Sequence, residues 1–194
     1  MNSPRSLLRP ALAALLAWAA PPGAWAAETV DCSTAFQAAA RALPALSWQR
    51  FDQDPVSGWR QLDALGCRAE AVQLMQRFIA IEQSRINTVR WHMAQNLALL
   101  GRSAQSIEQA RQTLMPADEA ASAAAAGFNW NAYVSGTIAF LEGRFDELPE
   151  LIRQLERHPN DAANARILRR LQRCAGKSYQ EAMESPTCAP AAGG

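Results

Sequence analysis

Gly66-Cys67-Arg68-Ala69-Glu70-Ala71 reads as the end of one helix and the opening of the next. Glycine enters the left-handed conformation that closes a helix at little steric cost. The same punctuation returns at Gly101-Arg102-Ser103-Ala104-Gln105-Ser106 and at Gly143-Arg144-Phe145-Asp146-Glu147-Leu148, and more loosely at Lys177-Ser178-Tyr179-Gln180-Glu181-Ala182. The steps between the four turns are 35, 42 and 34 residues, the period of helical hairpin repeats.

Between the turns the apolar spacing is helical. Ile86, Val89, Met93, Leu97 and Leu100 recur at intervals of three and four, as do Ala71, Met75 and Phe78, the mark of amphipathic helices. No β-branched run alternates with period two and no hairpin dipeptide occurs, so the fold is expected to be all-α. Asp54 before Pro55 predicts an N-cap with a first-turn proline, and Pro159-Asn160 predicts a break before a helix starting near Asp161. The step of 42 contains Met115 to Gly127, where an alanine-rich run after Pro116 favours a further helix over a linker. In Asn129-Trp130-Asn131 the first asparagine suits a helix cap.

These residues resemble the tetratricopeptide repeat family, whose unit of about 34 residues carries an early aromatic, a glycine turn, Glu-Ala opening the second helix and a late proline. Trp91, Met93, Ala94, Leu97, Gly101 and Ala110 match one unit; Trp130, Tyr133, Gly136, Gly143, Glu147 and Pro159 match the next. Trp59, Leu65, Gly66, Glu70, Ala71 and Phe78 match an earlier one, and Tyr179, Glu181 and Ala182 a truncated last one. The likeness spans residues 53–184. It departs from the pattern at Ser106, at Leu148 and in the step of 42, and the stretch from Ala121 to Phe128 is similar to the Sel1-like relatives. The resemblance implies a short right-handed stack of antiparallel helix pairs, a tetratricopeptide-like α-solenoid, with a concave groove lined by the first helix of each pair. Arg60 and Asp63, then Trp91, Gln95 and Ala98, then Tyr133, Thr137 and Phe140 fall on the groove positions. Plainer readings stand beside these: Trp91 and Tyr133 suit packing between repeats, and Arg60 with Asp63 suits a solvated i,i+3 pair.

The first 26 residues read as a secretory signal: Arg5 and Arg9 precede an apolar run from Ala11 to Ala20, and cleavage is expected after Ala26. The run is too short to span a bilayer. The expected organisation is therefore a signal peptide at 1–26, a repeat domain at 27–186 and a tail at 187–194, with no stable membrane insertion after cleavage. Removing the signal takes two arginines and no acids from the 19 basic and 18 acidic residues, so nothing in the charge balance favours nucleic acid. Periplasmic or secreted localisation follows.

All four cysteines lie beyond the cleavage site, and an even count in an exported chain reads as two disulfides with three possible connectivities. An antiparallel hairpin of helices near 33–43 and 56–65 would bring Cys32 beside Cys67, leaving Cys174 to bridge Cys188 and staple the tail. Zinc is the rival, yet no CxxC or HxxxH spacing occurs and His92 and His158 are distant in sequence from the cysteines. No cofactor or metal is expected. A search for catalysis finds His92 with Ser84 or Ser103, and acid pairs Glu147 with Glu150 and Asp118 with Glu119, but no nucleophile elbow, phosphate loop or dinucleotide fingerprint. The expectation is a non-catalytic exported module that binds a protein or peptide in its groove. The alternative is a disulfide-stapled bundle that carries a small hydrophobic ligand or inhibits a secreted enzyme.

Overall fold

The computed structural model describes residues 30–82 and 86–189. The expected signal peptide at 1–26 and the end of the tail, 190–194, lie outside the described residues. The fold is all-α. In chain order the α-helices are α1 (Cys32–Ala42), α2 (Gly58–Ala64), α3 (Arg68–Ile81), α4 (Ile86–Leu99), α5 (Ser103–Arg111), α6 (Ala117–Ala125), α7 (Trp130–Leu141), α8 (Leu148–Glu156), α9 (Ala162–Arg173) and α10 (Tyr179–Glu184).

The expected glycine turns join α2 to α3, α4 to α5 and α7 to α8, and the joined helices pack on each other. Gly66, Gly101 and Gly143 have φ of 79°, 72° and 76°. After each, the next amide reaches back five residues: Cys67 to the Leu62 carbonyl, Arg102 to Leu97 and Arg144 to Ala139, at 2.8–2.9 Å. This closure gives the last carbonyls of the first helix their donors while the chain reverses. At the fourth turn Gly176, φ 85°, takes the left-handed place, and Ser178 with Glu181 forms a capping box that opens α10. The alanine-rich stretch is a helix, α6, closed by the same device at Gly127.

Across the α4–α5 hairpin, Ser106 stands where the repeat pattern wants a small residue. It is buried and its hydroxyl donates to the Ala94 carbonyl at 2.7 Å, so the polar atom is satisfied where the two backbones run close. Gly136 in α7 serves the same end by absence: a Cβ there would run into the Leu168 side chain of α9.

Two apolar cores share α4. Phe36, Phe51, Trp59, Leu62, Met75 and Phe78 gather around α1–α3 and take in Val89, Met93 and Leu97 from one side of α4. Trp91, Ala94 and Ala98, from its other side, join Tyr133, Phe140, Leu148, Leu168 and Tyr179. Beyond neighbouring pairs, α5 packs on α7, α7 on α9, and α10 returns to α4. Arg68, at the start of α3, pairs with Glu184 at the end of α10 across 3.7 Å. The last helix thus rests against the middle of the chain.

Both expected disulfides form, Cys32–Cys67 and Cys174–Cys188, and the described residues contain no free cysteine. The first ties the start of α1 to the α2–α3 turn. The second holds the turn Pro186–Cys188 against the end of α9, where Arg170 adds hydrogen bonds to the Ala182 and Ser185 carbonyls at 2.6 and 2.7 Å. No helix among the described residues is long and apolar enough to cross a membrane.

The N-terminal boundary differs from expectation. Asp54 does not cap a helix beginning at Pro55. It ends a five-residue π-turn, Gln49–Gln53, and accepts from the Val56 amide at 3.1 Å, while α2 starts at Gly58 after Ser57. Gly58 has φ 57° and sits against the Phe51 backbone, so closely that a Cβ would overlap the Phe51 carbonyl. The helix thus opens where the chain packs on the preceding π-turn, three residues beyond the proline.

Candidate functional site

A cleft of about 570 Å³ opens between α4, the α5–α6 connection, the start of α7 and α9. Helix α4 supplies one wall with Asn87, Thr88, Trp91, His92 and Gln95, five residues within three turns of one face. Thr113 to Pro116 and Glu119 form the opposite rim, and Phe128, Trp130 and Tyr133 close the end. Asn164 reaches in from α9. The volume is in the range of sites that take a small molecule or a peptide side chain.

The rim is held by the triplet Asn129-Trp130-Asn131. Asn129 caps α7, its side chain accepting from the Ala132 amide at 3.1 Å, as the sequence predicts. Its own amide donates to the buried Asp161 at 2.7 Å, which ties the start of α7 to the start of α9. Trp130 Nε1 donates to the Thr113 carbonyl at 2.8 Å, and Asn131 grips Met115 twice, accepting from its amide at 2.9 Å and donating to its carbonyl at 3.0 Å. Trp130 and Asn131 therefore fasten a connection that has no helix of its own, and Asn129 anchors the start of α7 that carries them. Replacing Asn131 by Ala removes both bonds to Met115 and is expected to cost about 1–3 kcal/mol. Thermal melting reads that cost. Faster amide exchange confined to residues 113–115 would locate it at the rim, whereas a uniform change along the chain would contradict this assignment.

The aromatic wall is a packed set. Trp91 meets Trp130 and Tyr133 edge-on at 5.3 and 5.1 Å between centroids, and Phe128 stacks on Trp130 at 6.1 Å; edge-to-face and stacked rings are both favourable pairings. Trp91 and Tyr133 are buried, Trp130 is half-buried, and Phe128 and Leu114 are exposed large apolar side chains on the rim. Gln95 bridges inward by donating to the Tyr133 hydroxyl at 3.2 Å. Burial pushes the Tyr133 phenol well above its ordinary value, with Tyr179 adding to the shift, and burial raises Tyr179 to about 12. Both phenols stay neutral near pH 7, so they offer hydrogen bonds and no base.

Next to Trp91 on the α4 wall, His92 is fixed from behind. Its Nδ1 lies 2.7 Å from Oδ1 of Asp52, a fully buried carboxylate that also accepts from Trp59 Nε1 at 2.9 Å and from Gln53 at 2.5 Å. Burial alone would raise the Asp52 carboxyl. The hydrogen bond and charge of His92, with the bonds from Trp59 and Gln53, outweigh burial and hold it below its usual value. Asp52 is thus an anion at neutral pH, and in the neutral form of His92 the proton sits on Nδ1.

Of the expected groove positions, Trp91, Gln95 and Tyr133 meet at this cleft. Thr137 and Phe140 do not. Thr137 is buried one turn deeper, its hydroxyl on the Tyr133 carbonyl at 3.2 Å, and Phe140 packs near Phe145 and Tyr179. Ala98 is in the core as well. Arg60 and Asp63 lie on α2, outside the cleft lining: Arg60 donates to the Asp52 main-chain oxygen at 2.5 Å with its guanidinium over Trp59, and Asp63 pairs with Arg68 at 2.9 Å. No family model, curated protein or solved structure matches the chain. Sequence reasoning missed the Asp52–His92 pair because the partners are 40 residues apart and Asp52 belongs to an irregular turn. It missed the rim because the α5–α6 connection carries no motif.

The one cluster of metal-ligand types within reach of one another, Cys32, Cys67 and Glu70 among the described residues, includes both sulfurs of a disulfide. Disulfide sulfur is not the thiolate that binds zinc.

Proposed function

We propose that the chain is an exported, non-catalytic binding module of tetratricopeptide-like helix pairs whose cleft between α4 and α7 receives a segment of a peptide or protein. The observation that carries this reading is the cleft itself: an aromatic wall with the large apolar side chains Leu114 and Phe128 exposed at its rim. Exposed apolar groups around a preformed concavity are the usual mark of a binding site. The repeat reading is supported by the paired helices and their recurrent glycine closures, and the two disulfides suit an oxidising compartment outside the cytoplasm.

A second reading, a carrier of one small hydrophobic ligand, is favoured by a specific feature. Helix α10 returns to α4 and limits how far a groove could extend along the stack. Random-peptide display against the mature chain, with counter-selection on a Leu114→Ser, Phe128→Ser variant, separates the two. Both positions are exposed, so the variant is expected to fold. Peptides that bind the parent at least tenfold better than the variant support the module. Failure to select any such peptide, with the neutral dye N-phenyl-1-naphthylamine bound by the parent alone, would favour the carrier.

A further inference from the structure

We infer that the occupant of the cleft presents a cationic, hydrogen-bond-donating group, the ammonium or guanidinium of a basic peptide side chain, to His92 and Glu119. This rests on the peptide-binding reading above and names the chemistry of its partner. Among the described residues that line the cleft there is no lysine or arginine, whereas Glu119 stands exposed on the rim. A second negative charge lies directly behind the opposite wall, because Asp52 is ionised and holds His92 by Nδ1. With Nδ1 committed as the donor, the neutral ring has only Nε2 left, and it is an acceptor. The two groups with charge or fixed hydrogen-bond polarity at the cleft therefore both ask for a donor.

Two arginines among the described residues, on α2 and α4, are engaged elsewhere. Arg60 is bonded to the Asp52 main chain and lies over Trp59, and Arg90 of α4 donates to Gln109 at 3.1 Å. The half-buried Trp130 and exposed Phe128 add ring faces on which an aliphatic stem packs and toward which a cation is attracted. A carboxylate in the same place would meet Glu119 and the field of Asp52 with no described lysine or arginine on the lining to receive it.

The test uses the mature, oxidised chain at pH 8 and the peptides acetyl-Ala-Leu-Xaa-Leu-Ala-amide, where Xaa is lysine, its uncharged analogue norleucine, or glutamate. Binding is followed by tryptophan fluorescence and by the indole resonances in NMR spectra. The lysine peptide is expected to bind at least tenfold more tightly than the other two, and Glu119→Gln is expected to weaken it about fivefold while leaving norleucine unchanged. Equal binding of lysine and norleucine would overturn the inference and leave the peptide reading in place. Tighter binding of the glutamate peptide would overturn it by sign. If none of the three binds while the neutral dye does, the peptide reading and the inference fall together; no binding by any probe, dye included, overturns both as well.

Discussion

Reduction of both disulfides is expected to lower the melting temperature of the mature chain by roughly 15–25 °C. The bridges close loops with sequence separations of 35 and 14. On the chain-entropy account, loops of these lengths contribute about 4 and about 3 kcal/mol, and in a domain of this size each kcal/mol moves the melting point by about 2–4 °C. The two bridges act at opposite ends. Replacing Cys32 and Cys67 by Ala should loosen α1 from the α2–α3 turn and leave the cleft intact. Replacing Cys174 and Cys188 should free the turn after α10, and through α10 the Tyr179 side chain that backs α4. Melting of the two double variants, with and without reductant, gives each share. Four thiols reactive in the untreated native protein would show that the bridges are not there.

Asp52→Ala is expected to destabilise the protein by about 2–4 kcal/mol, because it leaves the buried Trp59 indole N–H and the His92 Nδ1–H without their acceptor. Asp52→Asn retains the shape and one acceptor and should lose less. The pair also sets a pH dependence. The native carboxyl is held below its unfolded value of 3.8, so its stabilising contribution is fully present above that pH and declines as pH falls through the lower native value. The stability difference between the parent and Asp52→Asn should therefore shrink as pH falls below about 4. A difference that does not change with pH would mean that Asp52 acts through shape alone.

The legible and illegible parts of this fold divide by range. Gly66, Gly101 and Gly143 announce their turns because the left-handed conformation is a local demand that one residue type meets cheaply. Asn129 announces its cap for the same reason, and the cysteines can be paired because a short hairpin fixes which helix ends are adjacent. Repeat register points to Trp91, Gln95 and Tyr133, and these three share a cleft. The same register places Thr137 and Phe140 on an open surface, where the structure buries both, Phe140 beside Phe145 and the Tyr179 ring of α10. The π-turn at Gln49–Gln53, the late start of α2 at Gly58 and the Asp52–His92 contact have no local signal. The Asp52–His92 contact joins residues 40 apart on the turn and on α4, and the start of α2 follows the packing of Gly58 on the Phe51 backbone; both are written in shape rather than in spacing.

The most direct measurement of the central claim is an NMR titration of the mature chain with a peptide recovered from display. The expected result is a set of shifts concentrated on the Trp130 indole, His92, Phe128 and residues 113–116, with the α1–α2 region unmoved. Tight binding whose shifts fall on α1–α2 or the outer faces of α5 and α8, with the Trp130 indole unchanged, would contradict the assignment of this cleft as the binding site.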